Sequence, residues 1–180
     1  MSPLAQRAWT ALEAVPDPEI PVVSIRELGI LRDVRECGDG DRVEVVITPT
    51  YNGCPAMEQI ADDVRAALTG AGISGTVVTQ LAPAWTTDWI GAEAREKLRR
   101  YGIAPPQPIA CSSGTPASAT AGSTQVLQFA PRRSARAEPI ACPLCGSHNT
   151  TETSHFGSTA CKALMRCLDC LEPFDYFKPY

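Results

Sequence analysis

Cys142-Pro143-Leu144-Cys145 and Cys167-Leu168-Asp169-Cys170 stand 21 residues apart near the end of this chain. Two residues between paired cysteines make a tight turn that directs both sulfurs at one ion. A second such turn completes a tetrahedral four-cysteine site of the kind zinc fills. Between and after the pairs, residues 150–156, 162–166 and 171–177 supply strands, so 139–180 reads as a zinc ribbon. A piece of about 40 residues has too little core to fold alone, and zinc would contribute most of its stability. Four protein ligands leave the ion no position for a catalytic water, which makes the site structural. His148 and His155 lie in the same segment, but two complete cysteine pairs leave them surplus, as surface or packing residues.

The remainder of the 180 residues is divided by charge. Residues 1–103 carry ten basic and fifteen acidic side chains, whereas 104–131 carry none. The uncharged stretch is rich in Pro, Ser, Thr, Ala and Gly and buries too little apolar area to offset ordering its backbone, so 104–138 is expected to be a linker. Within it only Val126-Leu127-Gln128-Phe129 alternates like a strand. Before it, residues 4–14 have helical apolar spacing that ends at Pro16-Asp17-Pro18. A strand to Val34, a Gly38-Asp39-Gly40-Asp41 turn and a strand over 43–48 form a hairpin. Met57, Ile60, Ala61, Val64 and Leu68 make one apolar helix face, a β-rich run follows over 75–81, and Thr87 or Asp88 caps a helix through Leu98. The fold class is therefore α/β (α+β): a small mixed sheet packed with helices over 1–103, then the linker, then the four-cysteine ribbon.

Composition excludes several classes. The formal net charge is −4, and from Cys142 onward three basic residues face four acidic ones, which is no footprint for phosphate contacts, so no nucleic acid is expected. No apolar run approaches the ~20 residues of a membrane span, and the first residues lack the pattern of a secretory leader, so a cytoplasmic protein is expected. Eight cysteines in a reducing compartment point to metal or thiol chemistry sooner than to disulfides. Both histidines fall in the ribbon, and neither a catalytic triad, a phosphate loop nor a carboxylate pair is defensible, which argues against a stand-alone enzyme.

Four cysteines lie outside the two pairs. Cys54, in Thr48-Pro49-Thr50-Tyr51-Asn52-Gly53-Cys54-Pro55, sits at a strand-to-helix turn, where the positive end of the helix dipole and free N–H groups favour a thiolate suited to metal or cluster ligation. The simpler alternative is a structural cysteine at a tight turn. One thiolate cannot hold an iron–sulfur cluster. Ligands would have to come from Cys54 of a second subunit, from other thiols of this chain or from small thiols. Cys161 is either buried packing or a reactive, metal-accepting thiol. Cys111, in the linker, is a candidate extra ligand, and Cys37 reads as incidental. The aromatic tail 174–180 serves either as a docking interface or as ribbon core.

The motifs Asp17-Pro18-Glu19-Ile20-Pro21, Ile25-x-Glu27-Leu28-Gly29-Ile30, Thr48-Pro49-Thr50-Tyr51-x-Gly53-Cys54-Pro55-Ala56 and Pro83-Ala84-Trp85-Thr86-Thr87-Asp88-Trp89 make the first part resemble the SufT-like family of iron–sulfur assembly factors. With residues 156–164, the two cysteine pairs and residues 172–178, the chain as a whole is similar to the PaaD family, accessory proteins of the multicomponent phenylacetyl-CoA epoxidase. That resemblance implies bacterial aerobic phenylacetate degradation, in which a diiron oxygenase is served by a flavin- and iron–sulfur-containing reductase. It also implies maturation of a metal centre, either the iron–sulfur cluster of the reductase, which is the expected client, or the diiron site, with a transient iron–sulfur cluster as cargo. Cys54 would be the cluster-associated thiol, and Asp17 and Glu19 would belong to the loop beside it. Read without the family, Asp17 closes a turn, Glu19 is solvated, and Trp85 and Trp89 close the core. A competing expectation is a non-enzymatic docking subunit with zinc as its only metal. A third, a Cys54–Cys161 dithiol, requires the two sulfurs to meet. A homodimer is the easiest way to share a cluster between single Cys54 residues.

Overall fold

The computed structural model describes residues 2–38, 41–51, 53–107 and 139–180. Cys111, the Val126–Phe129 segment and most of the expected linker lie outside them.

Helix α1 (Pro3–Leu12) begins where Ser2 Oγ accepts the N–H of Ala5 at 3.2 Å and Pro3 takes the first-turn position that needs no donor. Its Ala5, Ala8 and Leu12 face inward. Strands β1 (Leu31–Cys37) and β2 (Arg42–Ile47) form the expected antiparallel hairpin. Helix α2 (Ala56–Gly70) buries Ile60, Val64 and Leu68 and returns the chain to β3 (Ser74–Thr79), which runs parallel to β2. The sheet order is β1-β2-β3. At Gly75 the helix and sheet come so close that a Cβ would sit 2.7 Å from Leu68 Cδ1 and 2.9 Å from Val43 Cγ2. Glycine there sets the packing distance of α2.

The helix expected from Thr87 through Leu98 is broken in two. Thr87–Trp89 is a single 3₁₀ turn, and α3 (Ala92–Arg100) starts afresh with Gly91 as its N-cap. Glycine costs about 1 kcal/mol in a helix interior, and the extended Ile90 is buried by leaving the helical path. The composition break at Ala104 does not coincide with a loss of regular structure. Ile103–Ala104 is a short strand, β4, in a second sheet. It pairs parallel with β7 (Pro173–Phe177), and the sheet order is β4-β7-β6-β5, where β5 is Thr150–Ser154 and β6 is Lys162–Cys167.

Two cores result. Ala104, Cys142, Ala163, Met165, Cys167, Phe174 and Tyr176 pack together inside the ribbon, on the period of two that a strand imposes. The larger core joins α1, α2 and the first sheet with the 15–31 loop, and it also takes in Cys161 and Phe177 from the ribbon. The aromatic tail is thus largely interior: Phe174, Tyr176 and Phe177 are buried. No described helix is long and apolar enough to cross a membrane.

Candidate functional site

The ribbon cysteines meet as the spacing predicts. The Sγ atoms of Cys142, Cys145, Cys167 and Cys170 all lie within 4.8 Å of one another, with Cys142 to Cys170 at 3.8 Å and Cys145 to Cys167 at 3.5 Å. Sulfurs bound at about 2.3 Å to one tetrahedral ion are about 3.8 Å apart, whereas a disulfide would bring them to about 2.05 Å, so this set fits zinc and not a cystine. Each knuckle is closed by a residue in the left-handed region just after its second cysteine, Gly146 at φ 77° and Leu171 at φ 66°. The N–H of Gly146 donates to the carbonyl of Cys142 at 2.9 Å, and the N–H of Cys170 to Cys167 Sγ at 3.5 Å. Asp169 ties the knuckles together, accepting from Ser147 Oγ and, at 2.8 Å, from Asn149 Nδ2. These bonds hold its carboxyl below the ordinary range. His148 and His155 are exposed and outside the sulfur cluster, engaged with the Pro139 carbonyl and the Glu152 carboxylate.

A second thiol centre forms where the ribbon meets the first sheet. The prolines flanking Asp17 fix a turn in which Asp17 Oδ1 accepts the N–H groups of Glu19 at 2.9 Å and Ile20 at 2.8 Å. Asp17 is only 6% exposed, and burial raises its carboxyl pKa against the pull of those two bonds. The turn aims Glu19 at the ribbon, where Glu19 Oε2 stands 3.9 Å from Cys161 Sγ. Burial raises Glu19 as well, with the Asp17 charge adding to it and the Lys162 ammonium opposing. Lys162 is itself buried, 3.5 Å from Asp175.

Cys54 follows Gly53, whose φ of 84° turns the chain, and precedes Pro55 at the start of α2. The expected thiolate preference does not hold. Burial raises the Cys54 pKa, and the Glu19 and Asp17 charges push it further up, while hydrogen bonds from the Ala56 N–H and Tyr51 hydroxyl only partly offset this. The helix-terminus effect is present but is outweighed by desolvation and two carboxylates. Cys161 is pushed up to about 11, mainly by burial, although Thr159 Oγ1 lies 3.0 Å from its sulfur. Tyr51 is raised to about 12, first by burial and then by its thiol neighbour.

Asp17, Glu19, Cys54 and Cys161 line one small cavity, closed by Ile60 and Phe177 among others. Its volume of about 20 Å³ has room for about one water-sized atom. The sequence alone leaves Cys161 undecided between packing and reactivity. It is buried, yet it faces the carboxylate of Glu19 and shares this cavity with Cys54. Trp85 belongs to the core: its indole N–H donates to the Leu28 carbonyl at 2.9 Å, and its ring lies 6.0 Å from Phe177. Trp89 is partly buried against the same core. Cys37 is half-buried at the end of β1 and belongs to neither thiol cluster. Sequence reasoning misses Tyr51 and Thr159 as partners of the two thiols. Their nearness in sequence, three residues before Cys54 and two before Cys161, is the available signal.

Comparison with known proteins matches two separate segments of the chain. Residues 5–80 match the family described as iron-sulfur cluster assembly protein, and residues 128–178 match the PaaD zinc beta ribbon domain. A protein of Escherichia coli (strain K12), provisionally named as one of the subunits of 1,2-phenylacetyl-CoA epoxidase, is 45% identical over 177 residues, covering 98% of this chain and 93% of its own length. An Fe-S protein maturation auxiliary factor of Porphyromonas gingivalis (strain ATCC BAA-308 / W83) is 36% identical over 48% of this chain and 83% of its own. One of Bacillus subtilis (strain 168) is 35% identical over 54% and 88%.

Proposed function

This chain belongs to the PaaD family of phenylacetyl-CoA epoxidase accessory proteins, and from that premise we propose that it matures an iron–sulfur centre of the epoxidase by carrying iron at the Cys54 pocket. It acts on another protein's metal centre and does not itself oxidise the aromatic substrate. The observation that carries this reading is the shared cavity: Cys54, Asp17 and Glu19 come from the assembly-type domain, Cys161 comes from the ribbon, and all four line it. Soft sulfur beside hard carboxylate is a donor mixture that holds a first-row metal without sequestering it as four thiolates would.

Cys142, Cys145, Cys167 and Cys170 are proposed to hold a structural zinc, which when bound cross-links the two knuckles. Cys167 ends β6 and Cys170 lies in the link from β6 to β7, the strands that set Cys161 and Phe177 into the pocket wall. Epoxidase components are the partners, and the iron–sulfur reductase is the proposed client because it carries the cluster. A homodimer pooling two pockets is the arrangement that a preassembled four-thiolate cluster would require. Cys111 is kept as a supplementary ligand outside the described residues.

The test is iron, acid-labile sulfide and zinc per chain after anaerobic reconstitution, for wild type and Cys54→Ser together, alongside epoxidase activity in cells carrying each. Equal zinc in both, with iron only in wild type and loss of epoxidase activity in the variant, is the expected result. Zinc alone in both proteins, with full epoxidase activity from Cys54→Ser, would make the chain a docking subunit instead.

A further inference from the structure

We infer that the Cys54 pocket accepts a single ferrous ion, ligated by Cys54, Cys161 and Glu19, and not a preassembled cluster. The inference rests on the maturation role proposed above and narrows its cargo.

Size is the first ground. The cavity has room for about one atom, and its inner wall is core, with Ile60 and Phe177 each 1% exposed and Asp17 6% exposed, while Cys54 and Glu19 on its outer side are half-buried. A two-iron, two-sulfide core is four heavy atoms, and seating it inside the cavity, beside Cys161, would require Phe177 or α2 to move out of a close-packed interior. Donor count is the second ground. Iron–sulfur clusters take four cysteine ligands, and this cavity presents two thiols, with carboxylates in the other places.

Distance is the third ground. Cys161 Sγ and Glu19 Oε2 stand 3.9 Å apart. Sulfur and oxygen bound to one tetrahedral first-row ion at about 2.3 and 2.1 Å are about 3.6 Å apart, so this pair is within a few tenths of an ångström of a ligating edge. Among the described residues, only the ribbon cysteines form a group of three or more donors within 4.8 Å of one another. Cys161, Glu19 and Cys54 do not form such a group, so Cys54 Sγ stands more than 4.8 Å from one of the other two donors and has to move in when the ion binds. On binding, two thiol S–H bonds break, two Fe–S bonds form, two protons leave for solvent and the iron stays ferrous, so the step needs no oxidant.

The experiment uses the full chain with the ribbon zinc loaded and excess zinc removed. It is titrated anaerobically with ferrous iron alone and, separately, with ferrous iron plus sulfide, and followed by metal analysis and Mössbauer spectroscopy. Expected are one high-spin ferrous ion per chain without sulfide, no increase when sulfide is added, and at least about a tenfold weaker iron affinity in Glu19→Gln and in Cys161→Ser. Zinc content at one per chain in both variants verifies that the ribbon is intact. Retention of iron only with sulfide, at two or more per pocket, would overturn the single-ion inference and leave the maturation role standing. Absence of Cys54-dependent iron under both conditions would remove the role as well.

Discussion

Cys161 Sγ lies 3.9 Å from Glu19 Oε2, a contact between residues 142 positions apart in the chain. It makes the ribbon part of the site. The pocket that holds Cys54 lacks its second thiol, and its Phe177 wall, until residues 161–177 have folded against the first sheet. Ribbon folding in turn depends on the four ribbon cysteines, because a unit of this size has too little apolar core of its own.

Removing zinc should therefore disturb a site that zinc does not touch. In Cys170→Ser, or after chelation, Phe177 and Tyr180 withdraw from Trp85, whose ring they approach at 6.0 and 6.3 Å. Tryptophan fluorescence is expected to shift to longer wavelength, and Cys54 to alkylate roughly tenfold faster or more as its cover is lost. An unchanged emission spectrum with full zinc loss would show that the ribbon holds its place without the metal.

Thiol reactivity in the intact protein should be low and steep in pH. With Cys161 pushed from 9.0 to about 11, its thiolate fraction at pH 8 is about a hundredfold below that of an unperturbed thiol. Its alkylation rate is expected to rise about tenfold per pH unit up to about pH 10, because the thiolate is the nucleophile. Mass spectrometry of iodoacetamide-treated protein measures this, and a rate that is flat above about pH 8 would contradict the burial argument.

Asp17→Asn is expected to stabilise the apo protein at neutral pH. The folded-state pKa of Asp17 lies above 3.8 because burial outweighs its backbone hydrogen bonds. The folded state thus binds the proton more tightly, and the Asp17 contribution favours folding at low pH and is lost as pH rises through the folded pKa. Asparagine keeps an oxygen for the N–H groups of Glu19 and Ile20 without the buried charge. Urea midpoints at neutral pH should be higher in the variant, and the gap should close as pH falls below that pKa. A lower midpoint at neutral pH would mean that the carboxylate's hydrogen bonds dominate.

The knuckles offer a purely conformational test. Gly146 sits at φ 77° with no atom within 4 Å of where a Cβ would be, so Gly146→Ala costs only the left-handed backbone, about 1 kcal/mol. A small decrease in thermal stability is expected, with all four sulfurs still binding zinc. Loss of zinc affinity instead would place Gly146 in the coordination geometry itself.

What is legible in the sequence is what is local. The four-cysteine site is written in two short turns, the hairpin and α2 in their periodicity, and the loop at Asp17 in its flanking prolines. The break before α3 follows from Gly91, whose capping role competes with the apolar spacing around it. β4 is two residues long and exists only because β7 pairs with it, so no propensity announces it. The sign of the Cys54 shift is hidden for a related reason: its helix terminus adjoins it in sequence, whereas Asp17 and Glu19 arrive from an earlier loop. Long-range charge and burial override a correct local argument.

Gln107, just beyond β4, reaches the carbonyl of Pro139 at 3.5 Å, which places the end of β4 beside the start of the ribbon. The ribbon is therefore anchored from two sides, by β4 pairing with β7 at one edge and by Phe177 and Cys161 set into the larger core at the other, so its place is fixed by contacts within the described residues.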